Sequence, residues 1–347
     1  MALVMVQGHV FDALLSGAAR ELWPYRWQLV FHGSTAPGFL FASGFVAGLP
    51  RAPLSLKASL RRARRLLFVW GVGYALHLPY LSLAKTVAAS PAERTAATAC
   101  DALHVIAVSQ LFVLALQWLF RGHWTAAAGG AGLAVVCLTP GVWSSGVAAR
   151  LPLAIGAYLD GSTGSLFPVF PFAAFVFAGT IAGAGLGRQD PPTRWRRGWA
   201  WGGSLVALGA ALSLVLHGRV EFWGPSPAYV CLRLGGLIGL LLGVERAARG
   251  PLPAVRALAL LGHETLLVYV LHLWLLFGGV LGGGPLAFLA GRLGFAGVGL
   301  TLLAMVPVLF AAAWLWHSFK VRRPHAATLV LAFATTAFVW DFLTRPW

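Results

Sequence analysis

The first apolar segment, MALVMVQGHVFDALLS, carries His9, Asp12 and Ser16 at i, i+3 and i+7. On a helix that spacing puts all three on one face. An imidazole exchanges protons near neutrality, and a carboxylate one turn away orients the ring and makes it a better base. Asp12 is so placed for His9, and Asp101 for His104 in DALHVIAVSQ. The chemistry offered is proton abstraction from an acceptor hydroxyl or amine. Such a face is costly against lipid, so it turns to a bundle interior or a watered cavity; the alternative is a polar contact between helices. Gln7 lies off the stripe. Ser16 has no nucleophile-elbow context, which leaves a hydrolase triad little support. No histidine pair at metal-ligand spacing compels a metal site, so none is expected.

The elements that must position these residues are membrane helices. Mean hydropathy is +0.77, hydrophobic residues make up 59% of the chain and charged residues 10%, far from the balance of a soluble domain. With about 20 apolar residues per crossing, roughly eleven spans are expected, near residues 1–16, 28–49, 65–86, 101–120, 124–141, 166–187, 198–216, 226–244, 257–280, 295–318 and 325–343. The expected fold is an all-α polytopic membrane bundle of about ten or eleven helices, a single domain over residues 1–347. The first segment lacks the basic start of a signal peptide, and its abrupt beginning at Met1 suggests a chain start inside, or just inside, the true first helix.

The net charge of +16 would point towards nucleic acid in a soluble protein. Here the charges sit in short loops, where they report topology and contact with anionic lipid, and nucleic acid is not an expected partner. With the chain start cytoplasmic, the cytoplasmic loops hold 17 of the 26 Lys and Arg, among them Arg51, Arg61, Arg62, Arg64 and Arg65. The other side holds eight, and Arg233 falls within a span. That asymmetry follows the positive-inside rule and implies a bacterial-type inner membrane protein. Cys100, Cys137 and Cys231 have no paired spacing and read as small packing residues. Tryptophans such as Trp23, Trp27, Trp143, Trp195 and Trp347 fall near span ends, as an interfacial belt requires. Gly44 with Gly48, and Gly239 with Gly243, suit close helix packing. Small-residue faces serve packing within and between chains alike, so the oligomeric state stays open.

With this orientation His9, His32, His77, His104, His272 and Arg233 all fall towards the outer half of the membrane. Singly each reads as a satisfied buried residue; together they point to an outward-opening polar cavity.

The order MVQGHVFDALL, HGSTAPGFLFASGF, LHVIAVSQLFV, LFPVFPFAAFVFAGTIAG and LLGHETLLVYVLHLWL, running from about residue 1 to 280, resembles the bacterial relatives of heparan-α-glucosaminide N-acetyltransferase. It is also similar to the wider acyltransferase-3 group. The resemblance implies a multi-pass enzyme that takes an acyl group, usually acetyl, from cytoplasmic acyl-CoA and delivers it to a sugar hydroxyl or amine on the far side. In the acyltransferase-3 group the first helix carries a basic residue, ten residues, then His. His9 matches that His, and the basic partner would fall before Met1. In the heparan enzyme's pattern the position of His9 is Asn, and the catalytic His precedes a Gly-x-Thr. Gly33-Ser34-Thr35 matches that tripeptide, with His32 directly before it, four residues later than the family spacing.

On this reading His9, oriented by Asp12, or His32 deprotonates the acceptor, either directly or by way of an acylated His. Thr35, Asp101, His104, Arg233 and His272 are candidates to hold the acceptor or the oxyanion. Tyr269 and His272 line the same cavity or simply pack. Arg61, Arg62, Arg64 and Arg65 meet the phosphates of acyl-CoA, the co-substrate, or else only mark topology. No bound cofactor is expected. Glu264 is expected to cap or pair locally. The competing class is a transporter, since buried His, Asp and Arg also build proton relays and interrupted spans build binding sites. No inverted repeat in the sequence supports it.

Overall fold

The structure, a computed structural model, describes residues 1–50, 55–250, 253–280 and 282–346. Arg51 and Trp347, placed above in a cytoplasmic loop and in the aromatic belt, lie outside the described residues. In chain order the longer helices are α1 (Ala2–Leu14), α2 (Trp23–His32), α3 (Thr35–Gly48), α4 (Leu56–His77), α5 (Ala102–Leu119), α6 (Trp124–Ser145) and α7 (Val169–Leu186). They continue with α8 (Pro191–Val215), α9 (Pro227–Ala247), α10 (Pro253–His263), α11 (Thr265–Phe277), α12 (Phe295–Arg322) and α13 (Pro324–Thr344).

Among the described residues eight stretches are long and apolar enough to cross a membrane, and nine if the bent pair α10–α11 counts as one. The all-α polytopic bundle expected from hydropathy is the fold; the number of spans is lower, for identifiable reasons. With 13 residues, α1 rises about 20 Å, short of a hydrocarbon core about 30 Å thick. The run expected at 65–86 is replaced by α4, which begins at Leu56 and ends at His77. Its start lies ahead of the arginine cluster, so Arg61, Arg62, Arg64 and Arg65 sit on a helix instead of in a loop. Its end comes where Leu78 precedes Pro79, since proline disfavours a helical residue before it. The expected span 257–280 is broken: α10 and α11 meet at Glu264 at 81°.

Helix starts follow local chemistry. Asp190 caps α8 by accepting from the Thr193 N–H at 3.2 Å, ahead of the Pro191-Pro192 start. Ser226 caps α9 through the Ala228 N–H at 3.2 Å. Proline at the first helical position loses no hydrogen bond there.

The chain divides into two units: residues 1–35, 76–94 and 250–347 form the first, residues 36–75 and 95–249 the second. In the first, α1 packs on α2, α11 and α12. In the second, an apolar core gathers Leu40, Phe41, Val105, Phe175, Val176, Leu186 and Leu242. Glycines let its helices approach. A Cβ at Gly44 or Gly48 would meet the carbonyls of Val176 or Thr180, and one at Gly179 would meet that of Phe41. The expected Gly44–Gly48 face therefore packs backbone to backbone against α7. Gly239 and Gly243 do not: a Cβ at Gly239 would meet only the Trp199 ring, at 3.7 Å, and at Gly243 nothing. The close approach of α8 and α9 falls instead at Gly202 and Gly235.

Candidate active site

The polar site of the first unit is built on α1. Four carbonyls at the end of that helix would otherwise be left without donors. Gly291 N–H bonds Ala13 O at 3.0 Å and Leu293 N–H bonds Leu14 O at 2.9 Å. The Arg20 guanidinium takes Leu15 O at 3.0 Å and Asp12 O. Ser16 N–H donates to Leu293 O at 2.8 Å, and Ser16 stands at the N-cap position of the short helix Gly17–Arg20 without a side-chain capping bond. Ser16 therefore lies past the end of α1 and does not extend the His9–Asp12 stripe.

His9 and Asp12 look past each other. His9 Nδ1 lies 2.7 Å from Nε2 of His272 on α11, with the two rings 15° from parallel and their centroids 5.0 Å apart. His272, fully buried, sets its Nδ1 2.7 Å from the Val268 carbonyl one turn back. The Tyr269 ring meets His272 edge-on at 5.8 Å. On the other side of His9 stands His32, centroids 5.4 Å apart and rings at 75°. Asp12 turns to that second imidazole: Oδ2 lies 3.4 Å from His32 Nε2, while Oδ1 accepts from the Tyr25 hydroxyl at 2.9 Å. Three imidazoles and one carboxylate thus converge from α1, α2 and α11.

Glycine makes the convergence possible at one point. A Cβ on Gly8 would overlap the His32 imidazole. Three polar groups near this end of α2 are buried without a partner among the described residues: the Gln28 amide, His32 Nδ1 and Thr35 Oγ1. They recur at i, i+4 and i+7, the spacing of one helical face, although Gly33 and Ser34 interrupt the helix before Thr35. A buried unpartnered polar group costs about 1–3 kcal/mol.

Glu264 does not pair locally. At the break between α10 and α11 its buried carboxylate meets His317 Nδ1 at 2.8 Å and Lys320 Nζ at 2.6 Å, both on α12.

The second unit holds the other candidates. Asp101 caps α5, its Oδ1 accepting from the N–H groups of Leu103 at 2.9 Å and His104 at 3.2 Å, while His104 Nδ1 accepts the Asp101 N–H at 3.1 Å. The buried His104 ring packs edge-on against Tyr74 at 4.2 Å. Tyr158, whose hydroxyl burial pushes well above the ordinary phenol range, accepts from Trp70 Nε1 at 2.8 Å and lies 3.0 Å from the Tyr74 hydroxyl. The Arg233 guanidinium lies over the Tyr229 and Trp223 rings at 5.4 and 5.7 Å, a cation–π arrangement. On α4, Leu56, Lys57, Leu60, Arg61 and Arg64 line an open groove of about 490 Å³. Arg62 points instead to Gln110 and Gln117, 3.3 Å from each. Among the described residues no group of three or more His, Cys, Asp or Glu side chains is arranged to hold a metal ion.

Over residues 1–217 the sequence matches the family described as heparan-alpha-glucosaminide N-acetyltransferase, catalytic. The chain belongs to this family. With its apolar helices it is an integral membrane protein of an N-acetyltransferase family. No curated protein and no solved structure matches it. The matched residues include His9, Asp12, Tyr25, Gln28, His32 and Thr35; His272 lies beyond them. Sequence reasoning missed Tyr25, Gln28, Arg20 and the need for glycine at position 8. Gln28 carried a signal, its spacing of one turn from His32. Tyr25 and Arg20 reach α1 only through the fold.

Proposed function

We propose that this chain transfers an acyl group, acetyl by its family, from cytoplasmic acyl-CoA to an amine or hydroxyl of a sugar on the outer side of a bacterial-type inner membrane. The observation that carries the reading is the meeting of His9, His32, His272 and Asp12 in the first unit of a member of this family. An imidazole of the cluster takes the acceptor's proton as the acceptor nitrogen or oxygen bonds to the thioester carbonyl carbon. The C–S bond then breaks, and the departing CoA thiolate receives that proton. Atoms balance with acyl-acceptor and free CoA as products.

Thr35 Oγ1 and the Gln28 amide are buried hydrogen-bonding groups without partners among the described residues, suited to hold the acceptor or the developing oxyanion. Arg61 and Arg64, with Lys57, present cations to the phosphates of CoA from the groove on α4. Arg62, turned to two glutamines, contributes to the packing of α4 on α5, and Arg65 is exposed on the same helix. His104 and Asp101 close the helix cap at the start of α5, and the Arg233 guanidinium lies over two aromatic rings.

The test is acetyl-CoA binding and CoA release by the full chain in nanodiscs, with amino-sugar and neutral-sugar acceptors. Acceptor-dependent release is expected, with His9→Ala retaining binding and losing about 10²–10⁴-fold in rate. A folded protein that binds no acyl-CoA would overturn the reading and leave the transporter class.

A further inference from the structure

The proton positions in the histidine cluster follow from one carbonyl. The oxygen of Val268 can only accept, and it lies 2.7 Å from His272 Nδ1; that nitrogen therefore carries its proton. A neutral imidazole has one N–H, so His272 Nε2 is a bare lone pair. His9 Nδ1 lies 2.7 Å from that lone pair and must donate to it. The reverse assignment would set the His272 Nδ1 lone pair against the Val268 oxygen and leave buried groups unpaired, the costly alternative.

We propose that His272 is a positioning residue: it fixes His9 in the tautomer with the proton on Nδ1 and so leaves His9 Nε2 as the proton-accepting atom. The first half of this inference stands on geometry alone, and its catalytic half rests on the acyltransferase reading. In the transfer step the acceptor's proton moves to His9 Nε2 while the acceptor's electron pair forms the new bond to the acyl carbon. The C–S electron pair leaves with the CoA thiolate, which then takes the proton back from Nε2. Throughout, His9 Nδ1–H stays bonded to His272. The arrangement is that of an orienting group behind a catalytic imidazole, here built from a second imidazole one helix away. The other groups beside His9 are His32 on α2, with Asp12 and Tyr25 behind it. None of these contacts sets the proton on His9 Nδ1. His272 lies beyond the residues matched to the family, and the sequence offered it only as a candidate to hold the acceptor or the oxyanion.

The experiment is nitrogen NMR of the histidine side chains in the full chain, uniformly labelled at histidine and held in nanodiscs, alongside acetyl-transfer kinetics. A His9→Gln sample identifies the His9 signals. The expected result is a protonated Nδ1 and a bare Nε2 on His9. In His272→Ala that pattern is lost, and kcat falls about 10–100-fold while KM for acetyl-CoA moves less than about twofold. His272→Gln keeps an acceptor oxygen near the place of Nε2 and restores both the tautomer and most of kcat. A wild-type His9 carrying its proton on Nε2 overturns the inference, as does His272→Ala with an unchanged tautomer and unchanged kcat. If His272→Ala fails to fold, the wild-type spectrum and His272→Gln decide. The expected tautomer in a folded protein that transfers no acetyl group would retire the acyltransferase reading and leave the proton assignment standing.

Discussion

His9 with Asp12 and Asp101 with His104 are the same two residue types at the same separation, yet the two pairs behave in opposite ways. At the start of α5, Asp101 sits where backbone N–H groups are unpaired. Its carboxylate caps them, and the His104 ring returns a bond to the Asp101 N–H. Order matters here: aspartate first, histidine third in the helix, closes a capping box. Within α1 the order is reversed and the backbone N–H groups are already bonded. His9 and Asp12 must then find partners on other elements, and they reach His272 and His32. The first arrangement spends its polar atoms on a helix end; the second keeps three imidazole rings within reach of one another.

This contrast can be broken by mutation, most strongly at His9. His9→Ala is expected to lower acetyl transfer about 10²–10⁴-fold, measured per mole of folded protein. Gly8→Ala drives a methyl group into the His32 ring. It should cost about 1–3 kcal/mol in a thermal or denaturant melt and lower the rate as well. Asp12→Asn keeps an acceptor for Tyr25 but removes the carboxylate from His32, and about a tenfold loss in kcat is expected. Full activity in that variant would make Asp12 a purely structural partner. Asp101→Ala should do the opposite: about 1 kcal/mol of stability lost, with kcat per folded molecule unchanged.

The smallest effect sharpens the comparison from the side of the caps. Asp190 is an exposed N-cap whose carboxyl is held below the usual range by the side-chain hydroxyl and N–H of Thr193. A depressed carboxyl stabilises the fold at pH values above its unfolded pKa, and that contribution is lost as pH falls through the folded one. Asp190→Ala should therefore lower Tm slightly at neutral pH, less than Asp101→Ala does, and the difference from wild type should shrink as pH falls below the ordinary carboxylate range. A difference that persists there would mean that the cap does not act through its charge.

Much of the fold was legible because apolar runs of about 20 residues have few alternatives in a membrane protein. The fifth and last expected spans, at 124–141 and 325–343, are the helices Trp124–Ser145 and Pro324–Thr344. What could not be read was interruption without a change of composition. The 81° bend at Glu264 sits inside a run that stays apolar on both sides, and it is tied to His317 and Lys320, more than 50 residues away. The four residues that meet in the first unit, His9, Asp12, His32 and His272, were each visible as costly groups in apolar surroundings. Their pairing was not. A helical wheel puts Asp12 beside His9, and only the packing of α1 on α2 and α11 turns the carboxylate to one ring and the imidazole to another.

The most direct test of the central claim sets His9→Ala beside His104→Ala in one assay: acceptor-dependent CoA release from acetyl-CoA, with both variants matched for folded protein in nanodiscs. The account predicts that release is lost in His9→Ala and retained in His104→Ala, whose cost appears in stability. Release retained in His9→Ala and lost in His104→Ala would contradict it and move the chemistry to the second unit.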